Sequence, residues 1–232
     1  MLKQEMPAAA LAVPSYLEET YWWAYVHPKA VQIFERQWLV NLILWGNFSR
    51  LRDAALDALG NELTGHTLQV ACVYGDLTAR IQQRLAPDAR LDIVDILPVQ
   101  LANAQRKLGK DARIGLIHAN SADLPMPSAS YDRVLLFFLL HEMPEDVRRA
   151  TLAQARRMLK PGGQLVIVDY HRPSPWNPLY WPMQAVLRTL EPFAMDLWRQ
   201  PIHTWLPADI APEKVHQRTL FGGLYQLLTL TV

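Results

Sequence analysis

A chain of 232 residues, half of them hydrophobic, has the length and composition of a globular domain with a helical elaboration. Its 23 Lys and Arg nearly balance its 22 Asp and Glu, and a net charge of +1 argues against a protein that binds nucleic acid through a basic surface. The one cysteine, Cys72, excludes an intramolecular disulfide framework and is typical of a reducing compartment. Only 10 residues are glycine, which is scarce for this length.

The first part of the chain has helical patterns. Ser15 and Glu18 have the spacing of a capping box at the start of a first helix. Pro28 suits the first turn of a second helix, and a third helix ends near Gly60. We predict that residues 1–60 form a helical and aromatic lid segment.

From residue 61 onward, short apolar runs alternate with helical patterns. Strands are predicted at 68–73, 91–96, 114–117, 134–140, 165–168 and 224–232, with a short one near 215–219, and helices at 77–86, 98–108 and 145–159. This alternation predicts βαβ units and a parallel sheet. Residues 173–215, rich in Pro and Trp, predict a helical insertion laid over the sheet.

Polar side chains follow each predicted strand. In an open α/β sheet, ligands bind beyond the carboxyl ends of the strands. Asp95, at the end of the second strand, is placed to accept hydrogen bonds from a ribose diol. The other candidates are Tyr74, Gly75, Asp76, Asn120, Ser121, Asp123, His141, Glu142, Asp169 and His171. Asp76 and Asp123 suit an alternative role as caps of the following helices, and Cys72 suits a buried core position.

Several stretches between about residues 65 and 170 resemble the class I S-adenosylmethionine-dependent methyltransferases. They are IVDILPVQL, NSADLPMPSASYDRVLL and LKPGGQLVIVD, and the closing FGGLYQLLTLTV is similar to the terminal strand of quinone-pathway C-methyltransferases. The resemblance implies an α/β, Rossmann-like class I methyltransferase fold with a mostly parallel seven-stranded sheet over residues 61–232. It implies S-adenosylmethionine as cofactor, bound by Tyr74, Gly75, Asp76, Asp95, Asn120, Ser121 and Asp123.

The first motif departs from that family. The usual Gly-x-Gly-x-Gly reads Ala71-Cys-Val73-Tyr-Gly75, so one glycine remains. Glycine permits a positive φ and a close approach of backbone to ligand. We therefore expect the loop to take a different path, or the methionine end of the cofactor to sit differently. Asn120 stands where an adenine-facing Asp is common.

These departures, together with YLEETYWWAYVHPKAVQIFERQWLVNLILWGNF, resemble the rhodoquinone biosynthesis proteins over nearly the whole chain. The resemblance implies that ubiquinone is the lipophilic substrate and that an amino group replaces a ring methoxy group. It also implies S-adenosylmethionine as the amino donor and Mn²⁺ as an implicated metal. An ordinary C- or O-methyltransferase of a quinone or lipid phenol is the alternative, and a non-catalytic cofactor-binding subunit is the third. A nicotinamide dehydrogenase is disfavoured because no G-x-G-x-x-G follows the first strand.

Amino transfer requires an acceptor for the donor's proton, and Asp76 or His141 would serve, with Tyr74 as a third catalytic candidate. Carboxylate and imidazole groups suited to Mn²⁺ come from His141, Glu142, Asp169 and His171. An aromatic cluster suited either to a lid over the quinone or to ordinary helix packing comprises Tyr21, Trp22, Tyr25 and His27, with Trp23 between them.

The apolar segment 176–198 suits either core packing or a peripheral membrane-docking face. The longest apolar run in the first third, 42–45, is far below the ~20 residues that span a bilayer. We therefore expect a cytoplasmic protein, soluble or peripheral at the inner face of the membrane. The sequence leaves the oligomeric state open.

Overall fold

The computed structural model describes residues 11–21, 31 and 33–232. Within these described ranges, three helices precede the first strand: α1 (Ser15–Thr20), α2 (Gln37–Ile43) and α3 (Phe48–Leu59). The predicted capping box is wrong, because Pro14 is the cap residue of α1 and no side chain caps this helix. The start predicted at Pro28 lies outside the described residues, and the boundary at residue 60 stays a prediction.

Strands and helices alternate along the rest of the chain. The strands are β1 (His66–Val70), β2 (Arg90–Asp95), β3 (Ile114–His118), β4 (Tyr131–Phe137), β5 (Leu159–Tyr170), β6 (Val215–Leu220) and β7 (Tyr225–Thr231). The helices are α4 (Leu77–Arg84), α5 (Pro98–Leu108), α6 (Glu145–Met158), α7 (Tyr180–Leu190) and α8 (Ala194–Arg199), with 3₁₀ turns at Leu140–Glu142, Ile202–Trp205 and Pro212–Lys214. No helix among the described residues is long and apolar enough to cross a bilayer.

The strands form one sheet in the order β3-β2-β1-β4-β5-β7-β6. The first five strands pair in parallel, and β7 is antiparallel to both β5 and β6. The predicted mostly parallel seven-stranded sheet is confirmed. The strand order reverses between β1 and β4, and such a reversal opens a ligand crevice at the carboxyl ends of the strands.

The central strands form the core of the molecule. The consecutive residues Val134, Leu135 and Leu136 of β4 are fully buried, as are Val166–Val168 of β5. Continuous apolar strands are typical of a parallel sheet covered on both faces. One cover is α3, which buries Leu51 and Ala55, one helical turn apart, and packs against β5.

Two strands end earlier than their apolar runs predicted. β1 stops before Ala71, whose φ is 71°, and β4 stops before Phe138, whose φ is 52°. A left-handed residue cannot continue an extended strand, so the backbone turns at these two positions. Each conformation costs on the order of 1–2 kcal/mol for a residue other than glycine. Both turns lie at the crevice.

A buried arginine fixes the turn that follows β4. Arg148 of α6 is fully buried and donates hydrogen bonds to the carbonyls of Leu140 (2.9 Å), Met143 (2.8 Å) and Phe193 (3.2 Å). Its guanidinium lies 4.4 Å from the centre of the Trp205 ring. The turn 140–143 is therefore tied both to α6 and to the insertion that follows β5.

Replacing Arg148 with Met should lower the free energy of unfolding by about 3 kcal/mol, because three buried carbonyls lose a charged donor. Urea unfolding measures the change. The matched control is Arg149→Met on the same helix, whose exposed side chain pairs with Glu145 and whose loss should cost less than about 0.5 kcal/mol. Equal losses in the two variants would contradict the assignment.

Candidate active site

A cavity of about 440 Å³ opens over the carboxyl ends of β1, β2 and β4. This is a usual volume for a small-molecule site. Its polar wall consists of Cys72, Tyr74, Asp95, Gln100, Asn120 and Ser121. Its other wall is mostly apolar and comes from α2, α7 and the end of β4, with His141, Glu142, Tyr170 and Glu191 at its inner side. Cys72 lines the cavity and is only partly buried, so its predicted core position is wrong.

Asp95 lies at the end of β2 on the polar wall. Its carboxylate accepts hydrogen bonds from the backbone N–H of Cys72 and of Leu97, both at 2.8 Å. Burial raises the pKa of Asp95, and these hydrogen bonds oppose the rise. Each oxygen keeps acceptor capacity for a further donor, which suits a ribose diol. Asn120 and Ser121 lie on the same wall, and the Asn120 side-chain oxygen accepts from the N–H of Ala122 (2.9 Å).

The loop after β1 keeps a left-handed residue despite its missing glycine. Ala71 adopts φ 71°, and its carbonyl accepts a hydrogen bond from the Gln69 side chain (2.9 Å). Gly75 adopts φ 79°, and a Cβ there would lie 2.7 Å from the ring of Phe48. Gly75 is therefore required by packing against α3, and it lies outside the cavity wall.

A charged network holds this loop from outside the cavity. Lys107 Nζ donates to the carbonyls of Val73 (2.8 Å) and Gly75 (3.0 Å) and pairs with Glu35 (2.9 Å). Glu35 also accepts from the Gly75 N–H (3.1 Å) and from the side chain of Asn103 (2.6 Å). Sequence patterns did not indicate Glu35 or Lys107, which contact the loop from distant parts of the chain.

Asp76 and Asp123 do not line the cavity. Asp76 occupies the predicted N-cap position of α4, but its carboxylate makes no capping hydrogen bond and pairs instead with Arg52 (2.8 Å) and Arg80 (2.6 Å). Burial opposes the effect, yet hydrogen bonds from Arg80 and Arg52 lower the pKa of Asp76, which makes it a weak proton acceptor. Asp123 is exposed, and its backbone N–H bonds to the carbonyl of Asn120.

Tyr74 lies on the cavity wall. Its hydroxyl accepts a hydrogen bond from the side chain of Gln100 (2.8 Å), and its ring stacks with Phe34 at a centroid distance of 6.0 Å. Burial raises the pKa of Tyr74, so the hydroxyl stays protonated at neutral pH. Tyr74 therefore cannot act as a base in the cavity at neutral pH.

His141 and Asp169 form a buried pair at the other end of the cavity. His141 Nδ1 lies 2.9 Å from Asp169 Oδ1, and the second Asp169 oxygen accepts from the N–H of Leu140 (2.9 Å). Burial favours the neutral ring, but the charge and hydrogen bond of Asp169 prevail, aided by Glu191 and Glu142, and raise the pKa of His141 to about 9. His141 is thus a cation at neutral pH.

Two more carboxylates and a tyrosine surround this pair. Glu142 Oε1 lies 3.8 Å from His141 Nε2, and the ring of Tyr170 lies 4.8 Å from the His141 ring, edge to face. Burial raises the pKa of Glu191, although the charge of His141 opposes the rise. Glu191 was missed in the sequence; a signal for it was a lone acid between Leu190 and Pro192 at the end of an apolar stretch.

The donors expected to hold Mn²⁺ are not brought together. Among the described residues, no three His, Cys, Asp or Glu side chains are grouped to hold a metal ion. The Asp169 carboxylate is occupied by His141 and by the N–H groups of Leu140 and Tyr170. His171 Nδ1 lies 2.7 Å from the carbonyl of Gly223. The donor set therefore does not fit the metal.

Of the expected aromatic lid, the structure describes Tyr21. Its side chain is fully buried, away from the cavity wall, and burial together with Glu191 raises its pKa. Trp22, Tyr25 and His27, with Trp23, lie outside the described residues. Their substrate-binding role stays a prediction.

Replacing Lys107 with Met should loosen the loop after β1, because two carbonyls and Glu35 lose a charged donor. We expect hydrogen exchange of the Gly75 amide to rise about tenfold, which corresponds to about 1.4 kcal/mol of local stability. Exchange followed by mass spectrometry or NMR measures the effect. Lys110→Met, at an exposed lysine just past α5, is the control and should leave the rate unchanged. An unchanged rate in Lys107→Met would contradict the assignment.

Replacing Asp169 with Asn should lower the pKa of His141 from about 9, because burial is then opposed only by the charges of Glu191 and Glu142. NMR titration of the ring measures this pKa, and Glu142→Gln should lower it by less.

In the wild type the folded pKa of His141 lies above the unfolded value, so protonated His141 stabilises the fold fully below pH 6.5. That stability is lost as the pH rises through about 9. A ring titrating near 6.5 in the wild type would disprove this.

Comparison with known proteins places these features in context. Residues 67–163 match the family described as "Methyltransferase domain". An uncharacterized methyltransferase of Synechocystis sp. (strain PCC 6803) is 28% identical over 203 residues, which cover 87% of this chain and 90% of that protein. The ubiquinone/menaquinone biosynthesis C-methyltransferase UbiE of Hahella chejuensis is 27% identical over 139 residues, 59% of this chain and 52% of that protein. The match to UbiE thus spans about half of that relative's length.

Solved structures share the architecture at low sequence identity. The N-methyltransferase NodS from Bradyrhizobium japonicum WM9, in complex with S-adenosyl-L-homocysteine, aligns with TM-score 0.57 and 13% identity over 88% of this chain and 96% of that one. The [4+2]-cyclase SpnF aligns with TM-score 0.51 and 14% identity over 90% and 96%. The chain has the Rossmann-like α/β fold of class I methyltransferases, and its residues 67–163 match a methyltransferase domain.

Proposed function

We propose that this protein is an S-adenosylmethionine-dependent transferase that converts ubiquinone to rhodoquinone by replacing a ring methoxy group with an amino group. The observation that carries the proposal is that one cavity contains both the altered cofactor loop, from Ala71 to Tyr74, and the ring of the buried His141, which is bonded to Asp169. The altered loop follows the strand where methyltransferases bind their cofactor. The resemblance of the chain to rhodoquinone biosynthesis proteins supplies the substrate.

The charge of the cavity suits S-adenosylmethionine. Three acidic residues line it, Asp95, Glu142 and Glu191, and the described part of its wall contains no Lys or Arg. The only positive group among these lining residues is the imidazolium of His141, so the net charge of the described wall is negative. A negative wall favours a ligand that carries a sulfonium and an ammonium group. Asp95 suits the ribose, and Asn120 with Ser121 suits the adenine edge.

The apolar wall suits a quinone ring and the start of its isoprenoid tail. Leu39 and Val40 of α2 face the cavity together with Met183 of α7. The indole nitrogen of Trp45 lies 3.3 Å from the sulfur of Met183, which joins the segment after α2 to α7. Such surfaces bind an apolar ligand by the area they remove from water.

When bound, S-adenosylmethionine would supply the amino nitrogen, whose new bond to the quinone ring replaces the ring's bond to the methoxy oxygen, and the methoxy group would leave as methanol. Protonated His141 would donate to the quinone carbonyl and stabilise the negative charge that forms there during addition. Glu191, with its raised pKa, would accept the proton that the amine loses. Asp76, paired with two arginines away from the cavity, has no place in this scheme.

Methyl transfer to a quinone or lipid phenol is the second candidate. The observation that favours methyl transfer is that several similar proteins are named as quinone methyltransferases. One of them is a demethylmenaquinone methyltransferase of Bacillus licheniformis, which is 26% identical over 134 residues, 58% of this chain and 57% of that protein. Methyl transfer needs mainly orientation and a base, and Asp95 and Glu191 would serve it in the same positions. The fold alone does not distinguish amino transfer from methyl transfer, because even the cyclase SpnF has a similar fold.

The test supplies the purified protein with ubiquinone and S-adenosylmethionine labelled with ¹⁵N at the α-amino group. We expect an aminoquinone that carries the label, identified by mass spectrometry. A quinone that has gained a methyl group would overturn the proposal in favour of the second candidate. Absence of any product, together with undetectable cofactor binding by calorimetry, would instead indicate an accessory subunit.

The role of His141 is tested within the same assay. His141→Gln should lower kcat by about a hundredfold, because general acid–base groups contribute on that scale or more. His171→Gln is the matched control, since this ring bonds to Gly223 outside the cavity wall. The wild-type rate should fall above about pH 9 as His141 loses its proton. An unchanged rate in His141→Gln would remove the residue from the mechanism.

A further inference from the structure

The exposed apolar side chains of this protein are concentrated in two segments. Apart from Leu11, every large hydrophobic side chain that is exposed in the described chain lies within 33–45 or 176–190. The most exposed are Trp176 (93%), Trp181 (68%), Leu42 (66%) and Trp38 (62%). We call the exposed members of these two segments the apolar rim: Ile33, Trp38, Leu42, Ile43, Trp45, Trp176, Trp181, Val186 and Leu190.

Three members of the apolar rim reach the cavity. Ile43 of α2 and Val186 and Leu190 of α7 are exposed and also line the cavity. The exposed surface is therefore continuous with the apolar wall. A lipophilic molecule that leaves a surface covering the rim would enter the cavity without crossing water.

The charges in and next to these segments are mostly positive: apart from Glu35, which pairs with Lys107, the residues among Lys, Arg, Asp and Glu from 33 to 50 and from 171 to 190 are arginines. Arg36, Arg50, Arg172 and Arg188 are exposed, and none of them forms an ion pair within the described part of the chain. The chain as a whole is almost neutral, so this is a local excess of positive charge.

We propose that the apolar rim and these four arginines form a docking face for a bilayer that contains anionic lipid. Helices that lie in an interface bury apolar side chains at the boundary of headgroups and acyl chains, where Trp is enriched. Arginine next to such a face attracts anionic headgroups. The inference rests on the proposed function, because it gives the lipophilic quinone its route into the cavity.

Cosedimentation of the full chain with vesicles tests the docking face without any substrate. We expect binding to vesicles of phosphatidylcholine with phosphatidylglycerol, and weaker binding to phosphatidylcholine alone. Trp38→Ser combined with Trp181→Ser should weaken binding to both vesicles by about tenfold or more. Leu11→Ser, at an exposed apolar residue outside the rim, is the control and should bind as the wild type does.

A second pair of variants tests the contribution of the arginines separately from that of the tryptophans. Arg172→Gln with Arg188→Gln should weaken binding to anionic vesicles only, whereas Arg149→Gln with Arg199→Gln, at exposed arginines elsewhere, should change nothing. Retention of the wild type in the supernatant with anionic vesicles would overturn the proposal and leave a protein partner as the occupant. Binding by the tryptophan variant at wild-type strength would also overturn it.

Turnover of a short-tailed, water-soluble quinone separates this inference from the proposed function. The tryptophan variant should keep the wild-type rate on that substrate, because neither residue lines the cavity, and should lose rate on vesicle-borne ubiquinone. A wild type that binds vesicles yet forms no aminoquinone would refute the proposed function while the docking face stands. Equal rates of variant and wild type on vesicle-borne ubiquinone would refute the route through the rim.

Discussion

The carboxylate of Asp169 is the constraint on which the chemical end of the cavity depends. It is fully buried at the carboxyl end of β5, and a buried charge is tolerated only when its lone pairs are satisfied. The backbone N–H groups of Leu140 and Tyr170 and the ring of His141 satisfy them. The turn after β4 must therefore lie against β5, and Arg148 ties the same turn to α6. The hydrogen-bonded carboxylate of Asp169 thus positions the ring of His141 and favours its protonated form.

The cofactor end meets a different constraint, which is the loss of glycines from the loop after β1. Ala71 keeps the left-handed conformation at a cost in backbone strain. The Lys107 ammonium holds the two following carbonyls, and Glu35 holds the Gly75 N–H. Because Glu35 precedes α2, the segment that lines the apolar wall is also bonded to the loop. The loop after β1 and the apolar wall are therefore joined through the segment that contains Glu35 and α2.

Sequence reasoning predicted the sheet because apolar runs and turn residues alternate in a way that only βαβ units satisfy. It overran β1 and β4 because a positive φ at Ala71 or Phe138 has no signal in a residue other than glycine. Asp95 and Asn120 reach the cavity because topology alone brings strand ends together. Asp76 does not, because its carboxylate is attracted to Arg52 and Arg80, and no spacing rule shows such a tertiary pairing.

The charge balance of the cavity bears on the reaction itself. Three carboxylates favour the cationic cofactor, but they also favour the protonated form of its amine, which cannot attack a quinone. Amino transfer therefore requires one of these groups to take that proton. Glu191 suits this step because burial raises its pKa towards that of the amine, while the nearby imidazolium of His141 limits the rise. Methyl transfer could also use Glu191 as a base, but only amino transfer needs this base to take a proton from the cofactor's own amine.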